Sequence, residues 1–164
     1  MNKASLVTQI IEQLNQQLDT LLQASDQAHQ SATHSENRAE NKYDTLGLEA
    51  AYLAHGLSIR AQELQQTITA LGHWAIPDYQ HSDAIGLGAL VTIDTPSGQQ
   101  KQVLLAAQGG GLKCYQGKDP TVQTVTVVTP ATPLGTALTG RFVGDEISLQ
   151  IAGSTIHYSI VDLV

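Results

Sequence analysis

The chain is short of several things at once. Across its 164 residues there is one cysteine, aromatics make up 4% and charged residues only 14%. A single thiol, Cys114, excludes an internal disulfide and suits a reducing compartment. So few rings mean that any core is built from aliphatic side chains. Basic residues are scarce: eight Lys and Arg stand against fifteen Asp and Glu, a formal net charge of −7. A chain this acidic has no counterion-release drive to coat nucleic acid, so independent nucleic-acid binding is not expected. Its natural partners are basic protein surfaces or metal ions. No apolar run follows Met1–Ser5 at the length a signal peptide or membrane span needs, so neither is expected, and the cytoplasm is the expected setting.

Proline and glycine are distributed unevenly, and this divides the chain. Residues 1–72 hold no proline, and their first glycine is Gly47. That half is rich in Gln, Ala, Leu and Glu, all good helix formers. The five prolines all lie at Pro77 or beyond, with most of the glycines and with Val, Thr and Ile clusters of strand type. The junction falls at Gly72–Asp78, where Gly72 can end a helix and Pro77 prevents its return.

Two seams run through the first half. Val7, Ile11, Leu14, Leu18, Leu21, Ser25, Ala28 and Ala32 alternate spacings of four and three. Ala50, Ala54, Leu57, Ala61, Leu64, Ile68 and Leu71 do the same. A mean period of 3.5 keeps one stripe of a helix turned toward a partner helix. Two such seams of similar length predict an antiparallel coiled-coil hairpin over residues 1–75. A pair of helices that dimerises with another chain is the competing arrangement. Pairing Leu6 with Leu71 puts the turn near 36–44 and the tip near 34–45. Each arm is then about 30 residues, roughly 45 Å at the helical rise.

After a linker over 76–87, residues 88–164 read as short strands. Ala89–Asp94 and Gln100–Ala106 flank the turn sequence Thr95-Pro96-Ser97-Gly98. Gln123–Thr129 is a further strand. Thr132 and Pro133 begin a short helix, as N-cap and first helical residue. Glu146–Ile151 and Thr155–Val161 make a last hairpin around Ala152-Gly153-Ser154. The expected class is α+β: a helical hairpin, then a mostly antiparallel β domain.

The segment Thr132-Pro133-Leu134-Gly135-Thr136-Ala137-Leu138-Thr139-Gly140-Arg141-Phe142-Val143-Gly144-Asp145-Glu146 resembles the C-terminal signature of the GreA/GreB transcript-cleavage factors. That pattern is S-P-[LI]-G-x-A-L-x-G-K-x-V-G-D-E. Thr132 stands for its Ser and Arg141 for its Lys. The resemblance covers residues 88–164 strongly and 1–75 more loosely. It implies an FKBP-like C-terminal domain that docks on RNA polymerase at the rim of the secondary channel, through a loop that includes Thr132, Pro133 and Leu134. It also implies a hairpin reaching toward the active centre, where nascent RNA is met only inside the polymerase complex. The chain would then be an accessory factor with no activity of its own.

In Gre factors the hairpin tip carries D-x-x-E-N-A-E-Y, whose carboxylates help hold a second Mg²⁺ that activates water to cut backtracked RNA. Mg²⁺ favours hard oxygen ligands, so carboxylates suit it. Here Ser35-Glu36-Asn37 matches the S-E-N of many Gre tips, but Thr33 occupies the position of the leading acid. Ala39-Glu40 comes one residue late, and Tyr43 later still. Glu36, Glu40 and Asp44, spaced by four, would align on one helical face and are the candidate ligands. Arg38 and Lys42 lie between them. Asp44-Thr45 before Glu49 also reads simply as a helix start. A tip that fills the channel without chemistry is therefore the alternative.

Other signals are weaker. Gly109-Gly110-Gly111-Leu112-Lys113 lacks the Lys-Ser/Thr pair of a phosphate loop and reads as a turn. His29 and His34 have no cysteine nearby to complete a zinc set. Cys114 reads as an inert thiol. A prolyl isomerase site needs an aromatic-lined pocket, and this domain offers only Phe142, Tyr115 and Tyr158, with Trp74 and Tyr79 in the junction, so that activity is not expected.

Overall fold

The computed structural model describes residues 2–33, 45–115 and 124–164. The chain divides into two compact units: Met1–Ile10 together with Trp74–Val164, and Ile11–His73.

The second unit holds most of α1 (Lys3–Thr33) and all of α2 (Leu46–Gly72). The two arms fold against each other. Ser25 Oγ donates to Ala54 O at 3.2 Å and lies 2.9 Å from Ser58 Oγ, which fixes an antiparallel register with small residues at the crossing. Leu14, Leu18, Ser25 and Ala28 of the first seam are buried, as are Ala54, Ala61, Ile68 and Leu71 of the second. Every residue of the second seam is at least half-buried. The 3.5-residue period is thus satisfied within the chain, as the hairpin reading expects. Thr45 stands at the N-cap of α2, and its hydroxyl donates to Glu49 Oε1 at 3.1 Å. The acidic Glu49 in the first turn suits the positive end of the helix dipole.

The first unit is a six-stranded sheet in the order β3-β4-β2-β1-β6-β5. Its strands are β1 (Leu90–Asp94), β2 (Gln100–Leu105), β3 (Lys113–Tyr115), β4 (Thr124–Val128), β5 (Glu146–Ile151) and β6 (Ser154–Leu163). All pairs are antiparallel except β2 with β4. The short helix α3 (Pro133–Leu138) lies between β4 and β5 in sequence. Strand alternation divides the side chains between two faces. Val91, Ile93, Val103, Leu105 and Val128 join Leu138, Ile147 and Ile160 in one core, with Leu134 and Tyr158 packed against it.

The other face carries Leu90, Leu104, Cys114, Val125 and Val127, all buried. The first turns of α1 meet this face. Gln9 makes a two-way bridge to the Tyr115 backbone at 2.8 and 2.9 Å, and Leu6 O accepts from Cys114 Sγ at 3.6 Å. Leu6 and Ile10 are fully buried. Lys3 is also buried, its Nζ donating to Pro77 O at 2.5 Å and lying 5.3 Å from the Tyr79 ring centre. Burial pushes the Lys3 ammonium pKa down, with Asp78 pulling the other way. Tyr79 in turn donates to Leu87 O at 3.0 Å, so the 76–87 stretch is tied down at several points.

The glycine run forms the turn the sequence suggests, with positive φ at Gly109 and Gly111. The run then leads directly into β3, a strand that composition did not announce. Among the described residues no helix is long and apolar enough to cross a membrane.

Burial pushes the Cys114 thiol up from 9.0 to about 11. Below pH 9 the native and unfolded thiols both keep their proton, and the contribution to stability is whole. Between 9 and 11 the unfolded chain releases a proton that the native chain holds, so stability falls by up to roughly 3 kcal/mol as pH rises through that window. Native Cys114 should react with a disulfide reagent at pH 8 about 100-fold more slowly than the same thiol in urea, because the thiolate fraction is suppressed and the sulfur is covered. Equal rates in both states would show the site to be open.

Candidate functional site

The segment Thr129–Gly140 is built around one carbonyl. Thr129 O accepts from the Thr132 backbone N–H at 2.9 Å and from the Thr132 hydroxyl at 2.7 Å. The same hydroxyl oxygen accepts from Gly135 N at 3.1 Å, which makes Thr132 the N-cap of α3. Pro133 takes the first helical position, where its missing N–H costs nothing. Gly135 is buried against the strand end: a β-carbon there would stand 1.9 Å from Thr129 O. Gly140, with φ of +77°, donates to Ile85 O at 2.8 Å and closes the segment back onto the domain.

This segment forms one lip of an apolar cavity of about 560 Å³. Thr132, Pro133 and Leu134 line one side; Leu149, Ile151, Ala152 and Tyr158 line another, with Val127 and Val128 also contributing. Pro133 is exposed, whereas Thr132 and Leu134 are half-buried. The Thr132 hydroxyl is fully engaged within the chain, so the contact surface this lip offers is the Pro133 ring and the Leu134 edge. Ile151 is 45% exposed although it continues the inward alternation of Ile147 and Leu149. That run of apolar residues past the end of the core is the one sequence signal for the far wall. Ala152 stands there with φ of +50°, an unusual conformation for a residue with a β-carbon.

Of Phe142, Tyr115, Tyr158, Trp74 and Tyr79, only Tyr158 lines this cavity; Tyr115 and Phe142 are exposed. The tip candidates Glu36, Glu40 and Asp44 lie outside the described residues. Thr33, the last residue of α1, is described. Its hydroxyl turns back to His29 O and Gln30 O at 3.0 and 3.2 Å, so it is bonded into its own helix. His29 joins Asp26 and His55 around a small polar hollow in the hairpin, but among the described residues no group of three His, Cys, Asp or Glu could hold a metal ion. Ser148 Oγ and His157 Nδ1 lie 2.8 Å apart on the exposed side of the β5–β6 pair, where the strand register sets them opposite each other.

No family model matches the chain, and no curated protein matches it. Among solved structures, the chain is similar to GreA factor homolog 1 (Gfh1) of Thermus thermophilus, at 25% identity over 94% of each chain with a TM-score of 0.37. It is similar to Thermus aquaticus Gfh1 at 22% identity, covering 98% of this chain and 94% of that one, TM-score 0.38. It is also similar to the prokaryotic transcription elongation factor GreA/GreB from Nitrosomonas europaea at 17% identity, covering 71% and 94%, TM-score 0.38.

Proposed function

We propose that the chain is a transcription elongation regulator that binds RNA polymerase at its secondary channel and assists cleavage of backtracked RNA through its tip carboxylates. The observation that carries this reading is the Thr132–Glu146 segment, whose ordered match to the Gre signature coincides with a capped lip beside an open apolar cavity. A helical hairpin followed by a β domain is the element order such a factor needs. In this reading Pro133, Leu134 and Ile151 receive an apolar side chain from the polymerase rim. An acidic chain meets a polymerase by local complementarity, since net charge steers but does not specify. Mg²⁺ shared with the polymerase would supply the water activation. This chain would contribute oxygen ligands from two of Glu36, Glu40 and Asp44.

Thr33 favours a second reading. Because the position of the leading acid is filled by a threonine bonded into its own helix, the tip is one carboxylate short of the Gre pattern. A chain that occupies the channel, competes with Gre factors and stimulates no cleavage fits that feature.

Both readings are tested by adding the chain to stalled, backtracked elongation complexes with Mg²⁺ and following RNA length. Shortening supports rescue. Inhibition of Gre-stimulated shortening, with none of its own, supports the competitor. Absence of any polymerase binding sinks both. Ile151→Asp should weaken binding at least tenfold in either case, because it places a charge at the rim of an apolar socket without touching the core.

A further inference from the structure

We infer, resting on the reading that the chain docks on RNA polymerase, that the apolar cavity continues past Tyr158 into a cationic subsite at Lys101. Together the two take an extended segment of the polymerase that carries an apolar side chain and, about four residues away, a carboxylate.

A second hollow of about 450 Å³ adjoins the first. Thr95, Ser97, Gln99 and Lys101 line it from the β1–β2 hairpin, and Ile156 and Tyr158 from β6. Tyr158 lines both hollows. The strand register puts their walls on one face of the sheet, because residues directly opposed across an antiparallel pair share a face. Lys101 stands opposite Ile93, and Ile93 opposite Ile160. Tyr158, two residues before Ile160, stands opposite Ile147, and Leu149 and Ile151 follow Ile147 at alternate positions.

The second hollow differs from the first in its chemistry. Lys101 is the one charged residue among those lining either of them. It is exposed, and among the described residues it pairs with no carboxylate. Beside it the Thr95 and Ser97 hydroxyl oxygens lie 2.9 Å apart, and Thr95 Oγ1 accepts from Gln99 N at 3.1 Å. One hydroxyl proton makes the bond between the two oxygens, which leaves the other to donate to a ligand. An ammonium and a spare O–H together favour an oxyanion. A docked partner that covered Lys101 with apolar surface would strand a desolvated charge, so the site selects for an acid there. The chain carries −7 overall, which makes this a local exception to its general repulsion of acidic segments.

The spacing follows from the strand order. β2 and β5 are three positions apart in β2-β1-β6-β5. At the usual strand separation that is about 14 Å, which an extended chain covers in about four residues. A helical segment would advance only about 6 Å over the same four residues and fall short.

Binding of the full chain to core RNA polymerase, followed by fluorescence anisotropy, tests the subsite. Lys101→Glu should weaken binding about 30-fold and Lys101→Gln about fivefold. Both should keep the native circular dichroism spectrum, since Lys101 is exposed. Lys113→Glu makes the same change of net charge at a residue that lines neither hollow, and should weaken binding less than about twofold. Between about 50 and about 300 mM salt the native chain should lose more affinity than Lys101→Gln, whose ion pair is already gone. Equal losses from Lys101→Glu and Lys113→Glu overturn the subsite and leave the docking reading standing. So does full binding by Lys101→Glu where Ile151→Asp still weakens it. A native chain that binds no polymerase overturns both.

Discussion

A chain carrying Gly135→Ala is expected to lose about 3 kcal/mol or more of stability, read as a fall in the urea midpoint of the unit that holds the sheet. The added methyl would stand 1.9 Å from Thr129 O and 2.7 Å from its carbonyl carbon. Neither is the free end of a flexible side chain. Thr129 O is held by two hydrogen bonds from Thr132, so moving it breaks the cap that starts α3. Moving α3 instead drags Leu138 out of the core, where it is fully buried. Either relaxation costs packing or hydrogen bonds that the rest of the segment depends on. Gly140→Ala is the comparison: it has positive φ but open space around it, so only the backbone penalty applies, about 1 kcal/mol. Similar losses from the two variants would mean that close approach is not what position 135 requires.

That contrast shows what the sequence made legible. Gly135 and Gly140 belong to one recognisable motif, yet only coordinates separate a glycine kept for contact from one kept for its dihedral angle. The seams of α1 and α2 were readable because burial along a long helix follows one period over many turns. Leu6 and Ile10 each lie one residue before a position of the first seam, and they belong to the unit that holds the sheet, where Ile10 approaches Gly109. Their spacing of four was visible, but periodicity names a face and not its partner. β3 is not legible in the sequence because three residues, with only Cys114 pointing inward, carry too little alternation. Its existence is set by pairing with β4, a non-local fact. The parallel β2–β4 pair is likewise a matter of topology, which local propensity does not encode. The far wall of the cavity, at Ile151, Ala152 and Tyr158, comes together from two strands and a turn. Of these only the overhanging Ile151 left a trace in the pattern.

Replacing Glu36, Glu40 and Asp44 together by Ala is expected to reduce RNA shortening in backtracked complexes by at least about 100-fold, while competition with Gre factors for the polymerase persists. The size follows from what a ligand to a catalytic ion contributes, several kcal/mol of stabilisation for charge that develops in the transition state. Competition survives because the surface proposed to dock lies in the other unit, around Pro133, Leu134 and Ile151. Thr33→Asp gives the complementary result. The threonine hydroxyl is committed to His29 O and Gln30 O, bonds an ionised aspartate cannot donate. An acid there restores the leading carboxylate of the Gre pattern, and it loses a few tenths to about 1 kcal/mol against the negative end of the α1 dipole. If the native tip already cleaves, Thr33→Asp should quicken it by about tenfold. A chain that is inert as it stands and gains cleavage only through Thr33→Asp would make Thr33 the residue that separates a channel occupant from a cleavage factor. Failure of both substitutions to move the RNA, with binding intact, removes the carboxylates from the mechanism and leaves steric occupancy as the chain's whole action.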